Sequence, residues 1–340
     1  MNKRRWVAVI IAAALFIFAA VSSFMTKDTD DKNLSGTDAL LFGSNEITEG
    51  VVEEGEEEQR IAQLTIDGTI ADTGENSFFS GEGYNHQFFM DQLKEVQEDP
   101  TVAAVLLEIN TPGGGVYESA EIAKEIRAIQ AADTPVYVSM KNMGASGGYY
   151  VSASADKIFA TSETLTGSIG VIMSSVNFSE LMDNLGIEDQ TYKSGPLKDM
   201  GSAMREPTEE DEEVMQSYVD NSYDRFVKIV SKGRSMSEDQ VRDIADGRIY
   251  DGQQAKDNDL VDEIGFPDDA LTSLREDEGL EKAQVFEYDI ASTGFDQTWL
   301  GSKIAQAKGM KQTETDRMLN VIERIGTPEA PKPMYYYGGE

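Results

Sequence analysis

Ser146 lies in the stretch "KNMGASGGYYVSASADKIFA", Lys141 to Ala160, with Ala145 before it and two glycines after it. An apolar run precedes it, and a segment of Gly, Ala and Ser that reads as a short helix follows. Glycine permits sharp bends and close backbone approach, so the stretch can be a plain tight turn. A serine at a strand-to-helix bend is also how α/β enzymes expose a nucleophile, although GASGG is only loosely similar to G-x-S-x-G. A second glycine turn, "NTPGGG" at Asn110 to Gly115, closes another apolar run. Backbone N–H groups at such a turn can point inward at a ligand. That suits an oxyanion hole, whose donors sit about 2.7–3.1 Å from the developing charge. A phosphate loop fits worse, because the lysine and hydroxyl of G-x-x-x-x-G-K-[ST] are missing.

A serine nucleophile needs a base. The chain has one histidine, His86 in "GYNHQF", and no cysteine. A Ser-His-Asp triad would rest on that single residue, and a histidine beside Tyr and Phe is more often a surface or half-buried residue. The missing cysteine excludes disulfides, thiolate metal sites, a cysteine nucleophile and a lipidated cysteine anchor. A neutral lysine can act as base if burial brings its pKa from ~10.4 towards ~7–8. The loop "TYKSGPLKDMGSAMREP", Thr191 to Pro207, offers Lys193 and Lys198.

The elements that must hold these residues alternate. "IAQLTIDGTI" (Ile61 to Ile70) reads as a strand, and "VAAVLLEIN" (Val102 to Asn110) as a buried parallel strand. "VYESAEIAKEIRAIQ" carries apolar residues at three- and four-residue spacing and reads as a helix. "TPVYVSM", "DKIFA" and "GSIGVIM" (Gly167 to Met173) read as further strands. Thr208 caps a long helix whose stripe of Met215, Tyr218, Val219, Ser222, Tyr223, Phe226 and Val230 suits a core or a subunit interface. Short strands alternating with helices predict an α/β domain with mainly parallel strands and right-handed crossovers.

Lys3, Arg4 and Arg5 precede an uncharged run from Trp6 to Met25. Twenty helical residues span ~30 Å, about one bilayer core. Residues 1–5 are therefore expected in the cytoplasm, 6–25 as a transmembrane signal anchor and the rest outside. A cleaved signal peptide is the rival reading. Residues 26–60 are acidic and read as a disordered or extended linker. The folded domain is expected over 61–290, with a C-terminal helix and flexible tail over 291–340. With 62 acidic and 29 basic residues the net charge is -33, which repels nucleic acid and anionic lipid.

The tail "PEAPKPMYYYGGE" should be extended. Three consecutive tyrosines leave apolar surface in water unless they find a partner. They can enter a peptide groove or pack on the domain surface.

In order and spacing, "NTPGGG", "NMGASGGYYVSASADKIFA", "TLTGSIGV", "YKSGPLKDMGS" and "ADGRIYDGQQAKDNDLVDEIG" together resemble the bacterial signal peptide peptidase A family, also called protease IV. The resemblance covers roughly Ile61 to Gly265 and the N-terminal anchor, and is to the short form with one protease domain per chain. It implies a Clp protease/crotonase-like fold preceded by one transmembrane helix. It implies a Ser-Lys dyad, with Ser146 as nucleophile and Lys198 as general base. Lys193 remains the alternative base. It further implies that Ser168 orients the lysine and that the Gly113 and Gly147 amides hold the oxyanion, with no metal or cofactor. The implied substrates are remnant signal peptides, cut outside the cell membrane by a ring or dome of identical subunits. A crotonase-like acyl-CoA enzyme and a non-catalytic membrane scaffold are the rival functions.

Overall fold

The computed structural model describes residues 47–72, 83–290 and 332–338. The anchor expected over residues 6–25 and the C-terminal helix lie outside the described residues. Among the described residues no helix is long and apolar enough to cross a membrane. The chain divides into two compact units, and the described elements belong to the second, apart from the first two residues of one strand and the last two of another.

A nine-stranded sheet runs in the order β1 (Ile47–Glu53), β10 (Ala283–Ile290), β2 (Glu56–Asp67), β3 (Val102–Thr111), β5 (Val136–Ala145), β6 (Lys157–Ala160) and β9 (Glu263–Ile264). From β10 to β9 every neighbouring pair is parallel. β7 (Leu165–Gly167) continues alongside the end of β5, and β8 (Ile249–Tyr250) pairs with it antiparallel. A separate small sheet joins β4 (Gly113–Gly115) to β11 (Met334–Tyr336). Among the described residues the helices in chain order are α1 (His86–Glu98), α2 (Val116–Ala131), α3 (Gly147–Ser152), α4 (Ser179–Leu185), α5 (Glu209–Gly233), α6 (Glu238–Ile244), α7 (Gly252–Asp257) and α8 (Pro267–Glu278).

The expected α/β order with mainly parallel strands is what forms. Side chains alternate across a strand, yet β3 is apolar at almost every position because both its faces are covered. On one face Ala104 and Leu106 pack with Tyr137 and Phe159 against Ala270, Leu271 and Leu274 of α8. On the other, Val105, Leu107 and Ile109 are also buried. The Thr208 cap is present as a full capping box with Asp211. The α5 stripe divides: Ser222, Phe226 and Val230 are buried, whereas Tyr218 is exposed.

Three boundaries differ from the sequence reading. The stretch taken as a linker to residue 60 is extended but holds β1 and the start of β2. Its acidic residues project into water on both sides, so no apolar alternation marks the strands. The strand expected over Gly167–Met173 lies earlier, at Leu165–Gly167. Gly167 at φ 76° and Ser168 at φ 48° turn the chain out of the sheet there. The tail is not a free end, since Met334–Tyr336 is a strand.

Candidate active site

β5 delivers Ser146. The strand ends at Ala145, and Ser146 follows at φ 51°, ψ -111° before α3 begins. A β-carbon makes positive φ costly, so this bend is held by its surroundings. The Ser146 amide donates to the Gly167 carbonyl at 2.8 Å, and its own carbonyl accepts from the Tyr150 amide at 2.8 Å. Ser146 is 1% exposed. Behind it α3 packs closely: a Cβ on Gly147 would lie 2.7 Å from Ser119 Oγ. The small residues that flank Ser146 in the sequence are therefore required by a buried bend.

β3 delivers the glycine turn to the same place. Gly113 has φ +100°. Its amide donates to Thr111 Oγ1 at 3.0 Å. Its carbonyl accepts from the Ile70 amide at 2.9 Å, and the Gly115 amide donates to Ile70 at 2.8 Å. These bonds fix one edge of β4 and present the other to the tail.

The C-terminal strand occupies that second edge. β11 pairs antiparallel with β4, with Met334 opposite Gly115, Tyr335 opposite Gly114 and Tyr336 opposite Gly113. The Tyr337 amide donates to the Pro112 carbonyl at 2.8 Å. On its far side Met334 exchanges backbone bonds with Ile172, at 2.9 and 3.1 Å. A peptide thus lies between two backbone edges, the geometry of strand addition. The Tyr335 carbonyl oxygen closes on the serine turn: a Cβ on Gly113 would fall 2.1 Å from it, and one on Gly147 3.0 Å. Both tail expectations meet in one strand, because the Tyr335 side chain is also fully buried.

Ser168 follows β7 at φ 48°, directly after Gly167, whose carbonyl holds the Ser146 amide. It is 7% exposed, and its amide donates to the Arg248 carbonyl at 2.8 Å. It lines a cleft of about 520 Å³ with Ile172, Tyr223, Tyr336 and Tyr337, and with the carboxylates of Asp220 and Asp246.

The two lysines differ. Lys193 Nζ donates to both oxygens of Asp199 at 2.8 Å and to the Pro196 carbonyl at 3.1 Å. Lys198 is exposed, and no hydrogen bond among the described residues joins it to Ser146 or Ser168. Its backbone sits in a run of tight turns, with its amide donating to the Gly195 carbonyl at 3.2 Å. His86 is buried between Tyr84 and Glu121, its ring nitrogens 2.7 Å from the phenol oxygen and 3.0 Å from the carboxylate. That places it in a brace between α1 and α2.

The structure therefore sets Ser146 and Gly147 against the Gly113 turn, and ties the Ser146 amide to the residue before Ser168; Ser168 lines the cleft, whereas Lys198 does not. Sequence reasoning did not single out Gly114, Ile172, Tyr150 or Tyr335. Only the triple tyrosine signalled the last, and nothing local marks Ile172 as a groove edge.

A family model described as peptidase family S49 matches residues 128–281. A protein of Enterococcus faecium named as a signal peptide peptidase is 53% identical over 343 residues, covering 100% of both chains. The chain belongs to peptidase family S49. A protein of Methanocaldococcus jannaschii named as a protease is 34% identical, over 76% of this chain and 79% of its own. A ClpP1 mutant from Listeria monocytogenes is structurally similar at TM-score 0.40 and 18% identity, over 62% of this chain and 94% of that one. As an S49 member the protein is a serine peptidase, a hydrolase of the signal peptide peptidase type, and the acyl-CoA reading is set aside.

Proposed function

We propose that Ser146 is the nucleophile and Lys198 the general base of a membrane-anchored endopeptidase that degrades remnant signal peptides and other extended peptides. The observation that carries this reading is the tail: a peptide strand already lies across the glycine turn with a carbonyl against Gly113 and Gly147. Neutral Lys198 takes the Ser146 proton as Oγ attacks the peptide carbonyl. The oxyanion is held by the Gly147 amide together with Gly113, whose amide leaves Thr111 Oγ1 to do so. Ser168 orients the lysine. Protonated Lys198 then donates to the leaving amine, and water hydrolyses the acyl-enzyme. Lys193 Nζ is already engaged by both Asp199 oxygens and the Pro196 carbonyl, which supports Lys198 over Lys193.

Lys198 comes from a neighbouring copy in this reading. It sits on an exposed arm, residues 172–200, whose α4 buries no residue. Ile172, Val176, Leu181, Leu185 and Ile187 on that arm are all exposed, as expected of a subunit interface. A ring or dome of copies would cover them and carry each lysine to the next serine. Residues 6–25 anchor the assembly, with the peptidase domain outside the cell membrane.

Mixing two dead variants tests the whole reading. Ser146→Ala and Lys198→Ala proteins are each inactive on a fluorogenic peptide. Co-assembled, they regain a fraction of wild-type turnover, because some sites combine an intact serine with an intact lysine. Full activity of either variant alone overturns the dyad. Two dead variants with no recovery on mixing place both residues on one chain.

A further inference from the structure

Most cations among the described residues hold a carboxylate. Arg127 on α2 and Arg225, Lys228 and Lys232 on α5 show no such ion pair among the described residues. The three on α5 are spaced by three and four residues, so they share one face of that helix, and all three are exposed. Arg127 and Arg225 both bear on the Tyr150 phenol, whose pKa burial raises and their charges lower. A chain of net charge -33 has an excess of carboxylates. Cations that it leaves without them mark a place where a negative charge comes from another molecule.

Arg127 and Lys232 open on a cleft of about 700 Å³, lined with them by Gln130, Ser154, Asp156 and Ile229. The cleft shares no lining residue with the one at Ser168. It forms where α5 ends against the chain that leaves α3. The approach is close, since a Cβ on Gly233 would fall 1.7 Å from the Ala153 carbonyl oxygen. Arg127 Nη1 donates to Ser154 Oγ at 3.4 Å, which leaves most of the five N–H groups of a guanidinium for a ligand. The carboxylate of Asp156 is turned to the backbone, its Oδ2 accepting from the Val136 amide at 2.8 Å. Lys232 lies in the last turn of α5, where a cation also complements the helix dipole. That effect fades within one turn. It does not reach Arg225 or Lys228, and Arg127 stands before the last turn of α2.

We propose that this cleft binds a phosphate monoester, carried either by a small soluble molecule or by a lipid headgroup. The planar fork of Arg127 takes two phosphate oxygens at once. Lys232 adds a point charge, and Ser154 and Gln130 add neutral donors. A monoester carries about -1.5 to -2 charges at pH 7, which the two cations at the cleft offset. Ile229 gives an apolar wall for the group that bears the phosphate. The surrounding acidic surface repels anions at longer range, so binding depends on these short contacts.

Calorimetric titration of the full-length protein in non-ionic detergent tests the site, at constant ionic strength and with chloride as the only other anion. The probes are glycerol phosphate and dihexanoyl phosphatidic acid. At least one should bind with a Kd of about 10 mM or tighter. Arg127→Gln and Lys232→Gln should each weaken binding about 10- to 100-fold, the scale of a hydrogen bond to a charged group. Arg127→Lys should recover only part of the loss, because it restores the charge without the fork. Similar affinity for the two probes supports a soluble monoester as the ligand. A phosphatidic acid Kd at least 10-fold tighter supports a lipid headgroup. No binding of either probe overturns the proposal, and so does equal binding by wild type and the folded Arg127→Gln/Lys232→Gln protein. A double variant that changes the oligomeric state by light scattering, when wild type binds neither probe, assigns these cations to a neighbouring copy instead.

Discussion

The two halves of the proposed dyad are built on opposite principles. Ser146 sits at the end of a central strand, 1% exposed, in a backbone conformation that hydrogen bonds to Gly167 and Tyr150 hold in place. Such strain costs of order 1–3 kcal/mol and persists only where the surroundings over-determine it. Lys198 sits on an arm where Tyr192 is 93% exposed and Leu185 66%. Order there comes from charge. Lys193 and Arg205 share Asp199, and Arg205 also grips Asp211 at the start of α5. The serine side is preorganised by the core, and the lysine side is a braced projection with apolar residues exposed. On the proposed reading, an enzyme divided in this way would cut only when assembled.

The sharpest way to break this comparison is to remove each half. Ser146→Ala and Lys198→Ala should each lower peptide turnover by about 10⁴-fold or more, with folding and assembly intact by melting and light scattering. Lys193→Ala should cost far less. A dead Lys193→Ala beside an active Lys198→Ala would reverse the assignment of the base.

Next in size is Gly113→Ala. It forces a side chain to φ +100° and sets a Cβ 2.1 Å from where the tail carbonyl lies. Loss of an oxyanion donor costs about 10²–10³-fold, and peptide access is blocked besides. The expected result is a loss of at least that size with the sheet still folded. Turnover within a few-fold of wild type would show that peptides do not follow the register of the tail.

Much of the serine side was legible in the sequence because buried geometry restricts residue type. Gly113, Gly147 and Ser146 are recognisable since a bend packed against Ser119 and Ile70 admits little else. Thr208 announced its helix because a cap needs a hydroxyl three residues from an amide. The choice of Lys198 rests on resemblance alone, since a surface lysine looks the same whether it is idle or waits for a partner. The tail strand was half legible. Three tyrosines signal a need for burial, but pairing with residues more than two hundred positions away leaves no local period.

The brace on the lysine arm should matter less than the glycine, and through position alone. Arg205→Ala frees Asp199 from α5 and lets the Lys198 turn drift. Misplacement of about 1 Å can cost up to 10²-fold, so a fall in kcat of roughly 10- to 100-fold is expected, with KM little changed. Arg205→Lys should recover part of it. Equal kcat in all three proteins would show that the arm is positioned by the partner subunit and not by its own charges. Ser168→Ala should cost roughly 10-fold, the scale of one orienting hydrogen bond to a charged group, and leave the fold unchanged.

The smallest predicted effect lies in how the halves respond to pH. Hydrogen bonds from Arg205 and then Lys193 hold the Asp199 carboxyl down at about 2. Asp211 is lowered as well, chiefly by Arg205. A depressed folded pKa gives stability that is present above the unfolded value of 3.8 and is lost as pH falls towards about 2. The serine side responds in the other direction. Burial raises the phenols of Tyr149, Tyr150 and Tyr335. A raised folded pKa gives stability that is full below the unfolded value of 10.0 and lost as pH climbs through the folded value. Acid should therefore loosen the lysine arm first, and strong alkali the buried tyrosines and the tail first. Hydrogen-exchange protection, corrected for intrinsic pH dependence, reads both in one protein. Between pH 4 and 2 the peptides covering residues 191–205 should lose protection while those covering 107–115 keep it, and above pH 10 the order should invert. An arm that stays protected at pH 2 while the serine turn opens would mean that charge is not what orders it, and the contrast between the two halves would have to be drawn elsewhere.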